Sequence, residues 1–186
     1  MHIAVPWFIV DNIFIPVNVK ERLCWILIIV SFNECCIMVY DSLRDAIHDS
    51  HVLNEIKKYA QLIPMYLSMS GFYEKKGLDV LSQPKYRLHT NFDSFEIVYV
   101  NDIPHQPQGS LDCGDYISAY AEFLSDGNGI PAGPFDPDLM RSRYAALLWN
   151  YDMLKMQAEA ISDSEAPDKP MRCHVNVDSS ERITII

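Results

Sequence analysis

The stretch SLDCGDY, residues 110–116, puts a thiol and a glycine directly ahead of an apolar stripe, Ile117, Tyr120, Ala121 and Leu124. That i, i+3, i+4, i+7 spacing predicts a helix opening near Cys113. In a first helical turn the unpaired backbone N–H groups and the positive end of the helix dipole favour thiolate over thiol. Gly114 allows close approach of another chain. Its N–H, with that of Cys113, can face an oxyanion developing on an attacked carbonyl. This is the chemistry of a nucleophile, although the heptad by itself is equally that of a buried structural cysteine.

Two further side chains suit the same chemistry. Gln106 lies seven residues before Cys113, in a loop that must pass the helix start, and a glutamine amide can donate to an oxyanion. The plain alternative is a solvated loop side chain. Asp41 closes an apolar run in MVYDSL. A carboxylate there can orient an imidazole, or Asp41 or Ser42 can simply cap the helical segment SLRDAI.

The elements that must position these residues are legible from pattern. Asn12 to Asn18 alternates, with Ile13, Ile15 and Val17 on one face and Pro16 marking an edge or bulge. Leu23 to Val30, in ERLCWILIIV, is apolar on both faces and predicts a central strand, with Trp25 and Ile26–Val30 as core. A turn at Asn33-Glu34 leads to a third strand, Cys36 to Tyr40, completing a meander. Val52 to Met69 has helical spacing, with Pro64 expected to kink or break it. Residues 71–94 read as loop with an uncertain strand, Phe95 to Val100 as a fourth strand, and Asn101 to Asp112 as a Pro- and Gln-rich loop. Gly127 and Gly129 stop the Cys113 helix. Asp136 then caps a further helix with Pro137 at its first position and Leu139, Tyr144, Leu147, Leu148 and Tyr151 as its inner face. From Ser162 the chain is polar and expected to be flexible.

Composition excludes several functions. The formal charge of −10 among 186 residues disfavours a phosphate backbone as partner. No run approaches the roughly 20 apolar residues of a membrane span, and the start, MHIAVPWFIVDN, lacks a basic signal-peptide region. It reads as a strand entering the core, so that the chain begins inside folded structure. Cys24, Cys35, Cys36, Cys113 and Cys173 are odd in number and form no CxxC, which suits thiols in a reducing compartment, nucleus or cytoplasm.

The ordered set of segments resembles the ubiquitin-like protease family, the SUMO-protease-like cysteine peptidases. It is carried by IFIPVNV (13–19), CWILIIVSF (24–32), IMVYDSL (37–43), IPHQPQGSLDCG (103–114) and YISAYAEFL (116–124). RSRYAALLW (141–149) and SDSEAP (162–167) resemble plant members often linked to mobile elements. The resemblance spans about residues 10–167. It implies an α+β, papain-like fold: a mixed sheet of about four to five strands flanked by helices, the catalytic cysteine at a helix N-terminus. It implies a catalytic domain over 1–161, lacking most of the family's N-terminal helical part, and a tail over 162–186. The activity implied is cleavage of ubiquitin-like modifiers or their conjugates by a monomer needing no cofactor or metal. Cys113 matches the family's nucleophile, Asp41 its aspartate and Gln106 its oxyanion glutamine, with Gln108 a minor candidate. Trp25 and Gly114 match substrate-contacting positions.

The family's histidine precedes the strand tryptophan, and here Cys24 occupies that place. A cysteine cannot become the cation that stabilises a thiolate and returns a proton to a leaving amine. With Asp41 and Cys24 nearby, the expectation is that Cys113 stays neutral. His105, His48 and His51 are the remaining histidines of this region, all expected at the solvated surface. A zinc site from Cys24, Cys113, Asp41 and His105 has suitable ligand types but no recognisable spacing. Reach and compartment both argue against a Cys24–Cys113 disulfide. The alternative to an enzyme is a catalytically inactive pseudo-protease that only binds a ubiquitin-like protein, or a truncated product with no stable fold.

Overall fold

The run after Cys24 becomes the second strand of a four-stranded mixed sheet in the computed structural model, which describes residues 6–20, 23–78 and 94–158. The strands are β1 (Asn12–Val19), β2 (Cys24–Ser31), β3 (Cys36–Tyr40) and β4 (Glu96–Tyr99), side by side in that order. β1, β2 and β3 form an antiparallel meander, and β4 adds parallel to β3. Pro16, which has no N–H to donate, lies exposed in β1, the edge strand, where its loss is tolerated.

The parallel step from β3 to β4 is made by helix α1 (Ala46–Met69) and the short helix α2 (Phe72–Lys75). α1 packs Val52, Ile56, Ala60, Ile63 and Leu67 into a core with Ile26, Ile28, Val30, Ile37 and Val39 of the sheet. Helix α3 (Cys113–Ser125) serves the other cluster, where Tyr116, Ile117 and Tyr120 meet Leu27, Ile29 and Tyr40. β2 thus feeds two cores from alternate residues, which is why its sequence lacks a polar face. The architecture is α+β, as the sequence implied.

Five expectations need correction. The start, read as a strand entering the core, turns through a 3-10 helix at Trp7–Ile9 with no buried residue. The 71–94 segment, read as loop, opens with the helix α2. The cap of α1 is neither Asp41 nor Ser42 but Asp45, whose Oδ1 accepts from the N–H groups of Ile47 (3.0 Å) and His48 (2.8 Å). Pro64 does not end α1, which runs on to Met69. Proline leaves the carbonyl four residues back without its helical donor, and that carbonyl, of Ala60, accepts from Phe95 N–H at 2.9 Å just before β4. The apolar stripe of helix α4 (Pro137–Gln157) is not an inner face: Leu139, Leu147, Leu148 and Tyr151 are exposed, and no residue of that helix is buried. Its Asp136 cap is as expected, accepting from the N–H groups of Asp138 and Leu139.

The chain divides into two compact units, Met1–Tyr144 and Ala145–Ile186. The boundary expected near 161, the tail over 162–186, and most of the 71–94 segment lie outside the described residues. Among the described residues no helix is long and apolar enough to cross a membrane.

Candidate active site

Antiparallel pairing sets Leu27 opposite Tyr40. The first residue of β2, Cys24, and the residue after β3, Asp41, therefore emerge at one end of the sheet. Helix α3 begins against that end, and the backbone N–H of Trp25 points at Cys113 Sγ at 3.2 Å. Cys113 and Cys24 are 6% and 3% exposed, and the Cys24 thiol donates to Trp25 O at 3.7 Å.

The two thiols shift in opposite directions. Cys113 is lowered to about 6, first by its hydrogen bond with Cys24 and then, against burial, by the N–H groups of Trp25, Gly114 and Cys113 itself. Cys24 is pushed far up by the same hydrogen bond, by burial and by the negative charges of Cys113 and Asp41. These directions favour thiolate on Cys113 and the proton on Cys24, which faces a carboxylate. They run against the expectation of a neutral Cys113. Asp112 and Asp115, the carboxylates flanking Cys113, both pair with Arg141.

Asp41 is 0% exposed, with Oδ1 accepting from Leu43 N–H at 3.0 Å. Its Oδ2 lies 2.9 Å from Nε2 of His48, also 0% exposed. His48 is therefore no surface histidine. The cap at Asp45 starts α1 early enough to turn residue 48 inward, one turn before Val52 and Ile56. Its Nδ1 has no hydrogen-bond partner among the described residues. A proton there would be a buried unpaired donor, so the arrangement favours Nε2–H donating to Asp41. His48 thus faces Asp41 and makes no hydrogen bond to Cys113, and so does not replace the missing base.

The remaining candidates separate cleanly. Gln106 is buried, its Oε1 accepting from Ser42 Oγ (2.9 Å) and its Nε2 donating to Ser110 O (3.1 Å). Its own N–H donates to Ser42 O, so the loop is sewn to the chain just beyond β3. Tyr120 Oη, donating to Pro104 O, fixes the same loop to α3. Gln108 is exposed. His105 is exposed and accepts from Arg44 Nε at 3.3 Å, away from the thiols. Trp25 is 42% exposed rather than core, although its neighbours Cys24 and Ile26 are buried. Among the described residues the donor set that could hold a metal is not the one weighed with His105. Cys24 Sγ, an Asp41 oxygen and a His48 nitrogen lie within 4.8 Å of one another. These atoms are also committed to the hydrogen bonds just described.

A thiol at a helix N-terminus, a backbone donor from the facing strand and a buried carboxylate at the adjacent strand end define a cysteine-peptidase site lacking its imidazole. The Ulp1 protease family, C-terminal catalytic domain, matches residues 4–148, and the chain belongs to that family. It is 27% identical over 120 residues to the ubiquitin-like-specific protease ESD4 of Arabidopsis thaliana, a match spanning 64% of this chain and 20% of that protein. Two structures of the SUMO protease Ulp1, with the catalytic cysteine oxidised to a sulfonic or a sulfenic acid, resemble 78% of the chain and 56% and 55% of theirs. Their identities are 24% and 25% and their TM-scores 0.44 and 0.46. The chain therefore spans only part of each relative. By family it is a cysteine peptidase.

Proposed function

We propose that this domain acts on ubiquitin-like modifiers of the SUMO type, or on their conjugates, as a cysteine-type peptidase or isopeptidase attenuated at one step. Cys113 is the nucleophile, Gln106 the side chain nearest the role of oxyanion donor, and Trp25 and Gly114 the surface for the modifier's C-terminal tail. The observation that carries this reading is the convergence of the Trp25, Gly114 and Cys113 N–H groups on one low-pKa sulfur. Such a thiolate attacks a carbonyl without needing a base to ionise it first. What it lacks is an acid for the leaving amine, because Cys24 holds its proton too tightly. Attack should therefore exceed turnover. A monomer in the nucleus or cytoplasm suits the thiol form of the four described cysteines, and the acidic charge argues against a nucleic-acid partner.

The purified chain is to be incubated with a SUMO-type modifier carrying a C-terminal vinyl sulfone, and separately with one bearing a C-terminal fluorogenic amide. The reading expects a covalent adduct on Cys113 and slow amide hydrolysis, both absent in Cys113→Ala. No adduct and no hydrolysis would overturn it. The replacement at Cys24 favours a second reading, a pseudo-protease that binds the modifier and turns nothing over. Fluorescence anisotropy showing binding by both the parent and Cys113→Ala, without hydrolysis by either, would select it.

A further inference from the structure

Cys24 does more than vacate a catalytic position. It sets a second buried sulfur beside Cys113, the two engaging the backbone of one residue, Trp25. We propose that Cys24 and Cys113 form a redox-active pair, oxidised by hydroperoxides to an intramolecular disulfide and returned to the dithiol by low-molecular-weight thiols. The geometry meets the requirement. Cys113 Sγ is 3.2 Å from Trp25 N, and Trp25 N is one peptide unit from the Cys24 Cα, which places that sulfur within about 6 Å of the Cα it must join through. Cys24 is buried beside it, its own thiol donating to Trp25 O at 3.7 Å, so both sulfurs engage the backbone of the same residue. Reach, which the sequence seemed to deny, is therefore no obstacle.

The chemistry follows from the unequal environments. Cys113 Sγ, supported by three backbone N–H groups, attacks the distal oxygen of a hydroperoxide ROOH. The O–O bond breaks, an S–O bond forms, and the alkoxide takes a proton to leave as ROH. Cys24 then loses its proton and attacks the Cys113 sulfenic sulfur, forming S–S and expelling hydroxide, which leaves as water with that proton. In sum two thiols and one hydroperoxide give one disulfide, ROH and water. Cys113 is oxidised first because it alone carries thiolate, and Cys24 is the resolving thiol because it is the sulfur beside it. Cys35 and Cys36, in the hairpin turn and at the start of β3, stand at the opposite end of the strands. An imidazole at position 24 would offer no such resolution, so the sulfenic acid could climb to the irreversible sulfinic acid. The pair needs no peptidase activity, so its test stands apart from that of the proposed function.

The reduced chain is to be treated with a small excess of hydrogen peroxide, quenched, alkylated and mapped by mass spectrometry without reduction. The expected product is a Cys24–Cys113 linked peptide that dithiothreitol dissolves, with alkylation of Cys113 lost on oxidation and regained on reduction. In Cys24→Ser the linked peptide must vanish, a dimedone adduct must appear on Cys113, and sulfinic acid must become its main end product. Cys24→Ala serves the same purpose should serine disturb the fold. The proposal is overturned if Cys113 of the parent chain goes to sulfinic acid, links to a different cysteine, or stays unreacted while Cys35 or Cys36 oxidises.

Discussion

The two sides of the site have kept different things. On the helix side, Cys113 retains every feature that makes a thiolate: a first helical turn, its own N–H and that of Gly114, and the N–H of Trp25 reaching across from β2. On the strand side, Asp41 is as buried as a triad aspartate should be, but its partner comes from α1 as His48, while the place on β2 that should hold an imidazole holds a thiol. Nucleophile activation and proton return are usually joined in one imidazole. On the proposed reading they come apart: backbone N–H groups support the first, and among the described residues no imidazole hydrogen-bonds to Cys113 for the second.

The largest effect expected from this contrast is at Cys24. Restoring an imidazole by Cys24→His returns a group that can accept and deliver the proton, and each Asp41 oxygen, already engaged once, can still accept another hydrogen bond. Release of a fluorophore from a SUMO-type C-terminal amide should rise by several orders of magnitude, up to the roughly 10⁶-fold that loss of a triad histidine costs. An unchanged rate would show that Cys24 does not mark the base position.

Next is the acidity of Cys113. Below about 6 it carries its proton and above about 6 it is thiolate. Alkylation by iodoacetamide should therefore climb with pH, reach half its maximum near pH 6 and level off, where an ordinary thiol rises only around pH 8 to 9. Cys24→Ala removes the largest cause of the lowering, so its half-point must move upward. A parent profile rising only above pH 8 would place the proton on Cys113 instead.

The third effect concerns stability rather than reactivity. His48→Leu leaves Asp41 Oδ2 buried without its partner, a loss expected at about 3 kcal/mol. His105→Ala, at an exposed side chain, should stay within about 0.5 kcal/mol. Urea midpoints at fixed pH compare the two, and equal losses would mean that Asp41 finds another donor.

That histidine also marks how far the sequence could be read. β1, β2 and β3 were legible because each has strand periodicity and short connections, and β2 declared its central place by lacking a polar face. Cys113, Asp41 and Gln106 were singled out by the order of motifs, and all three are buried. His48 was missed because its burial depends on where α1 begins. The signal was present: His48, Val52, Ile56 and Ala60 continue one i, i+4 row, and Asp45 stands three residues ahead as a cap. Pro64 misled because the donor that replaces its missing N–H comes from Phe95, far along the chain. The α4 stripe misled because an apolar face shows what could be buried, not that something buries it. Trp25 was taken for core because an unbroken apolar run does not show which of its side chains stays open, and here that one lies between buried Cys24 and Ile26.

The smallest effect tests whether the Gln106 loop belongs to the preserved side. Ser42 Oγ donates to Gln106 Oε1, and Ser42 O accepts the Gln106 N–H, so one residue beyond Asp41 holds the loop that approaches Cys113. Ser42→Ala deletes only the side-chain bond and leaves a buried amide oxygen unpaired, at a cost of about 1 kcal/mol. If Gln106 supplies the oxyanion donor, the variant should also slow release of the fluorophore from the C-terminal amide of the modifier, whose attacked carbonyl becomes an oxyanion, while iodoacetamide alkylation, which builds none, stays unchanged. Gln108→Ala should alter neither, because that side chain lies in solvent. Equal slowing of both reactions by Ser42→Ala would mean that the loop shapes the helix start rather than the substrate's carbonyl, and the glutamine would lose its catalytic role to the backbone N–H groups alone.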